Sequence, residues 1–403
     1  MFRFSIKLSV IIILISLTFT SCEEDFDLIT EYKDQTVAYA FLKHNDPWFD
    51  KNGDPDTNWI VVNKAFLGEA NVEDMASVSD SVNYPDYDQI KVSLQRIESI
   101  DPGSRKIGNP IILNYTTHYK EEGIFAQDNN IVFYTTEMLM NFRQLSSDPS
   151  PKPDDNYFYK LSIKKQGKDE VYATTKMIRG IYLGVPMSNI PKYRIINMAS
   201  PVPNYTFNVK FKVNSDARVY KFKIRTFYYE KRTDGNIYLD YVDYEYPVIV
   251  TKEKYPIDAQ ELEVSVNPLA YYSSIERQLH NTDNVEWRMA KTKNKTGLIE
   301  SHTLLFTLGS QETYVYNQVT QPSNGIIQDK PTYTNITNGF GLFTSSWDYQ
   351  RDQFSFTPAS IDSLSSSVTT QNLKFLNNAS TSLENSKIKA EDVIITQRVL
   401  DLR

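Results

Sequence analysis

Two groups of side chains in this sequence have the type and spacing to do chemistry. Asp50, Asn52, Asp54 and Asp56 alternate as oxygen donors along one loop, the ligand type that Ca2+ prefers. The loop departs from the helix-loop-helix pattern. Gly53 stands fourth rather than sixth, Pro55 takes the sixth place, and Val61 fills the twelfth, where a bidentate Glu belongs. The same residues also suit a polar turn. The second group is Lys223, Arg225, Tyr244 and Tyr246. If Asp234-Gly235 is a two-residue hairpin loop, Arg225 faces Tyr244 and Lys223 faces Tyr246. Such a basic, aromatic face can stack a ring or hold an anion. It equally fits a strand face whose charges discourage edge pairing.

Catalytic patterns are missing. The four histidines, His44, His118, His280 and His302, stand apart in the sequence. There is no His-Glu-x-x-His and no Gly-x-Ser-x-Gly, and Gly339 and Gly341 do not extend to a nucleotide-binding loop. The expectation is a protein that is not an enzyme, with Ca2+ at Asp50–Asp56 as its one cofactor candidate.

The single cysteine, Cys22, closes an N-terminal address. Arg3 and Lys7 precede an apolar run from Leu8 to Leu17, and small residues lead to Cys22. The run falls short of the about 20 apolar residues that a membrane-spanning helix needs, so residues 1–21 read as a signal peptide. Phe19-Thr20-Ser21-Cys22 resembles the lipobox of bacterial lipoproteins, with Phe in place of the usual Leu. That resemblance implies cleavage before Cys22 and acylation of its sulfur. Glu23, Glu24 and Asp25 resemble the surface-export signal of Bacteroidota outer-membrane lipoproteins, which implies a lipid-anchored, surface-exposed protein. With Cys22 acylated no thiol remains, so disulfides, thiolate metal sites and Cys nucleophiles are excluded. Removing residues 1–21 takes away two of the 43 basic residues and none of the 50 acidic ones. The mature chain is therefore more acidic than the formal −7 of the whole, which argues against nucleic acid as a partner.

Strands must position these groups. Tyr (27) and Phe (21) far outnumber Gly (14), a balance that suits pleated, half-buried surfaces. Residues 22–34 form a polar acidic tether. Gln35–Lys43 alternates, with Val37, Tyr39 and Phe41 on one face. In the next strand Trp59, Val61, Asn63 and Ala65 oppose Ile60, Val62, Lys64 and Phe66. Asn71–Ala76 reads as a short helix with Asn71 as N-cap. Strand signals follow at 90–97, 111–119, 131–136, 157–164 and 170–177, so residues 35–180 read as an antiparallel sandwich. Tyr157–Ile163 resembles the penultimate strand of immunoglobulin-like and fibronectin-like domains. There an early Tyr packs the corner and bonds the backbone.

Residues 181–204, with four prolines, read as a linker. A second, mostly β domain spans 205–357, built on a hairpin of 219–232 and 236–250. It carries one short helix at Leu269–Leu279, with Asn267 as N-cap and Pro268 at N1. Strands are expected at 285–290, 302–308 and 312–319, and a hairpin-type turn at Asn338-Gly339. Residues 358–403 are rich in Ser, Thr and Asn and specify no fold before Val393.

Several stretches resemble an uncharacterised family of Bacteroidota outer-membrane lipoproteins, often encoded beside TonB-dependent receptors. They are Val62–Gly68 with Asp80-Ser81-Val82, Glu122–Phe125, Tyr159–Leu161 and Asn335–Phe343. The resemblance implies a surface accessory protein of a TonB-dependent receptor, with an unknown small-molecule, glycan or peptide ligand. It supplies no catalytic residue. An adhesin or matrix protein is the alternative, and an extracellular hydrolase a third. Ligand capture calls for a concave aromatic cleft between domains, and adhesion for exposed strand edges or a flat apolar patch. Hydrolysis needs two carboxylates, or a nucleophile and base, in one cleft.

Overall fold

A computed structural model describes residues 35–43, 57–65, 78–118, 130–137, 139, 157–178, 181–184, 194–199, 202–212, 216–251, 261–290, 301–320 and 333–400. Cys22, the Asp50–Asp56 loop and the expected helix at Asn71–Ala76 lie outside the described residues. The fold is mainly β.

The first half contributes β1 (Gln35–Lys43), β2 (Asn58–Ala65), the one-turn helix α1 (Ser79–Val82) and β3 (Lys91–Ile97). It continues with β4 (Ile111–Ile112), β5 (Asn114–His118), β6 (Asn130–Thr135), β7 (Phe158–Lys164) and β8 (Val171–Lys176). These strands divide between two facing sheets. One runs β1-β2-β6-β5 and the other β4-β3-β7-β8. Between them lies a core of Ala38, Ala40, Leu42, Ile60, Val62 and Phe133 from one sheet, and Val92, Leu94, Tyr159, Leu161 and Ile163 from the other. This is the expected sandwich. Tyr159 is buried, and its hydroxyl donates to the Leu139 carbonyl at 2.5 Å, as expected of the corner tyrosine. Burial pushes that phenol up to about 12.

The second half holds β9 (Tyr182–Leu183), β10 (Ile195–Ile196), β11 (Phe207–Lys212), β12 (Val219–Arg232), β13 (Ile237–Glu245), β14 (Ile249–Val250) and β15 (Glu261–Val266). Then come α2 (Pro268–Leu279), β16 (Val285–Ala290), β17 (His302–Gly309), α3 (Gln311–Thr320), β18 (Gly339–Phe356), α4 (Pro358–Ser366), α5 (Asn378–Asn385), β19 (Val393–Ile395) and α6 (Gln397–Leu400). A second core forms where Phe207, Val209 and Phe211 of the β15-β11-β9 sheet meet Phe222, Ile224, Leu304 and Phe306. Helix α2 adds Tyr271, Tyr272 and Ile275, and α4 adds Ile361 and Leu364. Asn267 caps α2 by accepting from the Leu269 and Ala270 N–H groups, with Pro268 at its start, as the sequence predicts.

Strand β18 joins the two halves. Its first part pairs parallel with β1, Thr36 opposite Gly339 through Lys43 opposite Ser346. Its second part pairs antiparallel with β17, Gly309 opposite Ser346 through His302 opposite Phe354. One long sheet therefore runs β19-β13-β12-β17-β18-β1-β2-β6-β5. The joint is tight at Gly341, whose φ is +114°. A Cβ there would lie 1.9 Å from the Ala38 carbonyl oxygen. Ser345 clips the joint to the small sheet, donating to the Lys176 carbonyl at 2.6 Å and accepting from the Ile178 N–H at 3.1 Å. Met177 belongs to the first core and Ile178 to the second.

Several expectations give way. Residues 181–204 supply β9, paired with β11, and β10, paired with β18, so this stretch is bonded into the sheets. Glu312–Val319 forms helix α3, not a strand. Ser310 decides it, because its hydroxyl accepts from the Glu312 and Thr313 N–H groups at 3.1 and 3.4 Å, a helix-start signal that outweighs the β-favouring Tyr and Val. Residues 358–400 fold as α4, α5, β19 and α6 over the second core. At Asn338-Gly339 the chain turns, with Asn338 at φ +60°, but no hairpin forms. Instead the Asn335 side chain exchanges two hydrogen bonds with the Phe343 backbone, at 2.7 and 2.9 Å, taking the place of a partner strand.

Candidate functional site: an aromatic shelf on the long sheet

The long sheet presents one face to both cores and the other outward. The expected site, Lys223, Arg225, Tyr244 and Tyr246, does not come together on either. In the structure Arg225 pairs with Asp243, Ile224 with Tyr244 and Lys223 with Glu245. The loop explains the slip. The Arg232 N–H donates to the Asn236 carbonyl, the Gly235 N–H to the Arg232 carbonyl, and Gly235 sits at φ +87°. That is a three-residue loop of Thr233, Asp234 and Gly235, rather than a two-residue one. A register change of one residue moves every side chain of one strand to the opposite face. Tyr244 is therefore buried in the second core and Tyr246 packs against it, while Lys223 and Arg225 point outward.

The outward cations are compensated. Arg225 makes two hydrogen bonds of 2.8 Å to the Asp243 carboxylate, and Lys223 pairs with Glu245 at 2.5 Å. The Tyr241 ring lies under the guanidinium of Arg225 at 4.1 Å and that of Arg398 at 4.5 Å. Arg398, on α6, also meets Asp240 at 3.6 Å. This end of the outer face is a cross-strand ladder of paired charges capped by the C-terminal helix.

The other end differs. Along β1 the alternation sends Ala38, Ala40 and Leu42 to the core, and Tyr39 and Phe41 outward. Along β2 it buries Ile60 and Val62 and leaves Trp59 outside, 48% exposed. Trp59 pairs with Tyr134 on β6, the two rings 5.3 Å apart and tilted by 42°. Phe41 stands one position beyond the Ala40–Ile60 pair, beside Trp59. Phe41, Trp59 and Tyr134 thus form a row of rings across three neighbouring strands, with Tyr39 in the next row. Tyr39 and Phe41 are 37% and 43% exposed.

Helix α3 turns this platform into a shelf. It packs over β18, whose Leu342 and Thr344 are the partners of Tyr39 and Phe41 and are fully buried. Thr313 of α3 reaches the Thr344 hydroxyl at 3.1 Å. Tyr316, on the same helix, meets the Tyr39 ring edge-on at 6.3 Å. Burial, and then the hydrogen bond with Tyr316, push the Tyr39 phenol up to about 12. The floor comes from the first half of the chain and the wall from the second. At its borders stand Lys43 and Asp348, paired at 2.6 Å, and the exposed Asn114 and Thr116 of β5.

Buried polar groups serve the fold. Arg288 and Glu230 form an ion pair at 2.8 Å with both side chains under 10% exposed. The Arg288 guanidinium also donates to the Leu279, Leu373 and Asn281 carbonyls, closing the end of α2 against the turn before Lys374. His302 is fully buried. Its Nδ1 lies 2.8 Å from the Ser301 hydroxyl, and its ring packs on Phe356 at 4.0 Å. Burial lowers its titration to about 3. Ser301 in turn donates to the Phe354 carbonyl at 2.6 Å, so this Ser and His are packed within the core. Among the described residues no three His, Cys, Asp or Glu side chains come together as a metal site, and no helix is long and apolar enough to cross a membrane.

No protein-family model matches the chain, and no curated relative does. Among solved structures it is similar to a chaperone–tip adhesin complex of CFA/I fimbriae biogenesis, at 13% identity over 59% of this chain and 87% of that one, with a TM-score of 0.15. It is also similar to the calcium-binding domain CBD12 of CALX1.1, at 8% identity over 79% of this chain and 99% of that one, again with a TM-score of 0.15. Scores this low carry no argument about the function of this chain.

The shelf was partly readable in the sequence. The alternation of Tyr39 with Phe41, and of Trp59 with Val61, marks two strands with apolar residues on both faces. Which face lies inside is decided by packing partners far away in sequence.

Proposed function

We propose that this protein is a non-catalytic binding protein, anchored by lipid at Cys22 to the outer membrane and exposed on the cell surface. There it captures a ligand for a TonB-dependent transporter. The observation that carries the binding role is the shelf: exposed Tyr39, Phe41 and Trp59 walled by α3. An apolar surface of this kind, rimmed by polar groups, marks interaction sites. The anchor rests on Phe19-Thr20-Ser21-Cys22 and the acidic residues after it. Two or more acyl chains give durable attachment where one does not. Ca2+ at Asp50, Asn52, Asp54 and Asp56 would be structural in this reading.

Expression in a Bacteroidota host tests it. The wild-type chain should partition with outer membranes, carry acyl chains at Cys22 by mass spectrometry, be cleaved by protease added to intact cells, and co-purify with a transporter. Cys22→Ser should abolish acylation and release the chain from the membrane. An unmodified Cys22 in the mature wild-type protein would remove the anchor from this reading.

Adhesion is the second reading. It is favoured by β5, an edge strand of the long sheet with Asn114, Tyr115, Thr116 and Thr117 exposed. Such an edge accepts a partner strand.

A further inference from the structure

We propose that the shelf binds a neutral glycan, with sugar rings laid flat on the row Phe41–Trp59–Tyr134. The inference rests on the binding role proposed above and names its ligand class. Three features of the shelf lead to it.

The first is ring chemistry. The exposed positions of the row are aromatic, not aliphatic, on the three strands β1, β2 and β6. An aromatic face carries negative quadrupole density, which attracts the weakly positive C–H face of a pyranose. Neighbouring strands lie about 4.8 Å apart, close to the span of one such ring. A saccharide lying across the strands therefore meets one aromatic side chain per step.

The second is charge. Lys43 and Asp348, the ionised pair beside the row, neutralise each other at 2.6 Å, and the Asp348 carboxylate also accepts from Thr307 at 2.7 Å. Among the described residues the charges beside the row therefore cancel. Asn114, Thr116 and the paired Lys43 and Asp348 offer donors and acceptors at its margins, where the hydroxyl edges of a sugar would lie.

The third is exposure. Here the rings of Trp59, Phe41 and Tyr39 are the most exposed part of the floor, while the aliphatic neighbours on the same face, Val61 and Val132, are partly covered. What lies open is ring surface, which suits sugar rings stacked one per side chain.

The test uses full-length lipidated protein in detergent. It is run through native gels containing xyloglucan, galactomannan or mixed-linkage β-glucan, and applied in parallel to an array of unrelated peptides. Thermal unfolding of each variant is recorded alongside. The expected result is retardation by at least one neutral polysaccharide. Trp59→Ala should weaken it about tenfold at an unchanged unfolding midpoint, and Trp59→Tyr, which keeps a ring, should retain most of it. Binding to peptides that is lost in Trp59→Ala, without retardation by any polysaccharide, overturns the glycan assignment and leaves the binding role standing. If neither ligand class depends on Trp59, both fall.

Discussion

The outer face of the long sheet has two ends built from similar residue types and finished in opposite ways. At the β12–β13 end, Arg225, Lys223 and Tyr241 are each met by a carboxylate or a guanidinium, and α6 closes over them. At the β1–β2–β6 end, Tyr39, Phe41 and Trp59 face outward with no such cover among the described residues. The lesson concerns how surface aromatics are read. A ring held under two guanidiniums, as Tyr241 is, is part of the structure. Rings lined up across strands and left open keep the potential to bind something else.

Perturbing the sheet and its buried clamps should show which parts hold the fold. Gly341→Ala should have the largest effect, because its Cβ would overlap the Ala38 carbonyl where β1 meets β18. We expect a loss of at least about 3 kcal/mol, or no folded protein, read by urea unfolding. Arg288→Ala removes one of the two guanidiniums on the buried Glu230, which keeps Arg232 at 2.7 Å, and leaves three carbonyls without their donor. The expected loss is about 2–3 kcal/mol, with the unfolding midpoint as the readout.

His302 adds a pH dependence. Its folded value, about 3, lies below the ordinary 6.5, so below pH 6.5 the unfolded chain takes up a proton that the folded chain refuses. Its contribution is complete above pH 6.5 and is lost as pH falls towards 3, at about 1.4 kcal/mol per pH unit. In His302→Phe the unfolding midpoint should fall less steeply between pH 6 and 4. An unchanged slope would mean that His302 is not buried as a neutral ring.

The two ends of the outer face separate at smaller magnitudes. Arg225→Ala strands the Asp243 carboxylate and removes one of the two guanidiniums over Tyr241, and should lower stability by about 1–3 kcal/mol. Trp59→Ala removes an exposed ring and should change stability by less than about 0.5 kcal/mol. If the order were reversed, Trp59 would be a structural residue.

Much of this fold was legible from alternation and capping. The strands at 90–97 and 157–164 and the helix begun by Asn267-Pro268 stand where their local patterns put them, because each signal is complete within a few residues. Pairings between distant segments were not legible. Nothing in Gln35–Lys43 says that it lies beside Gly339–Ser346, so the join between the halves and the inside of β1 stayed hidden. The hairpin shows the limit most sharply. Asp234-Gly235 identified the turn, but one extra loop residue shifted the register and separated Arg225 from Tyr244. For α3, the run 312–319 reads as a strand, and the hydrogen bonds that the Ser310 hydroxyl accepts from the Glu312 and Thr313 N–H groups, which start the helix, show only in the fold.

The contrast between the two ends is tested most directly by hydroxyl-radical footprinting of the purified protein, read by mass spectrometry. The account predicts rapid oxidation of Trp59 and Phe41, and slow oxidation of Tyr241 under Arg225 and Arg398. Protection of Trp59 equal to that of Tyr241, in protein without added ligand, would contradict it.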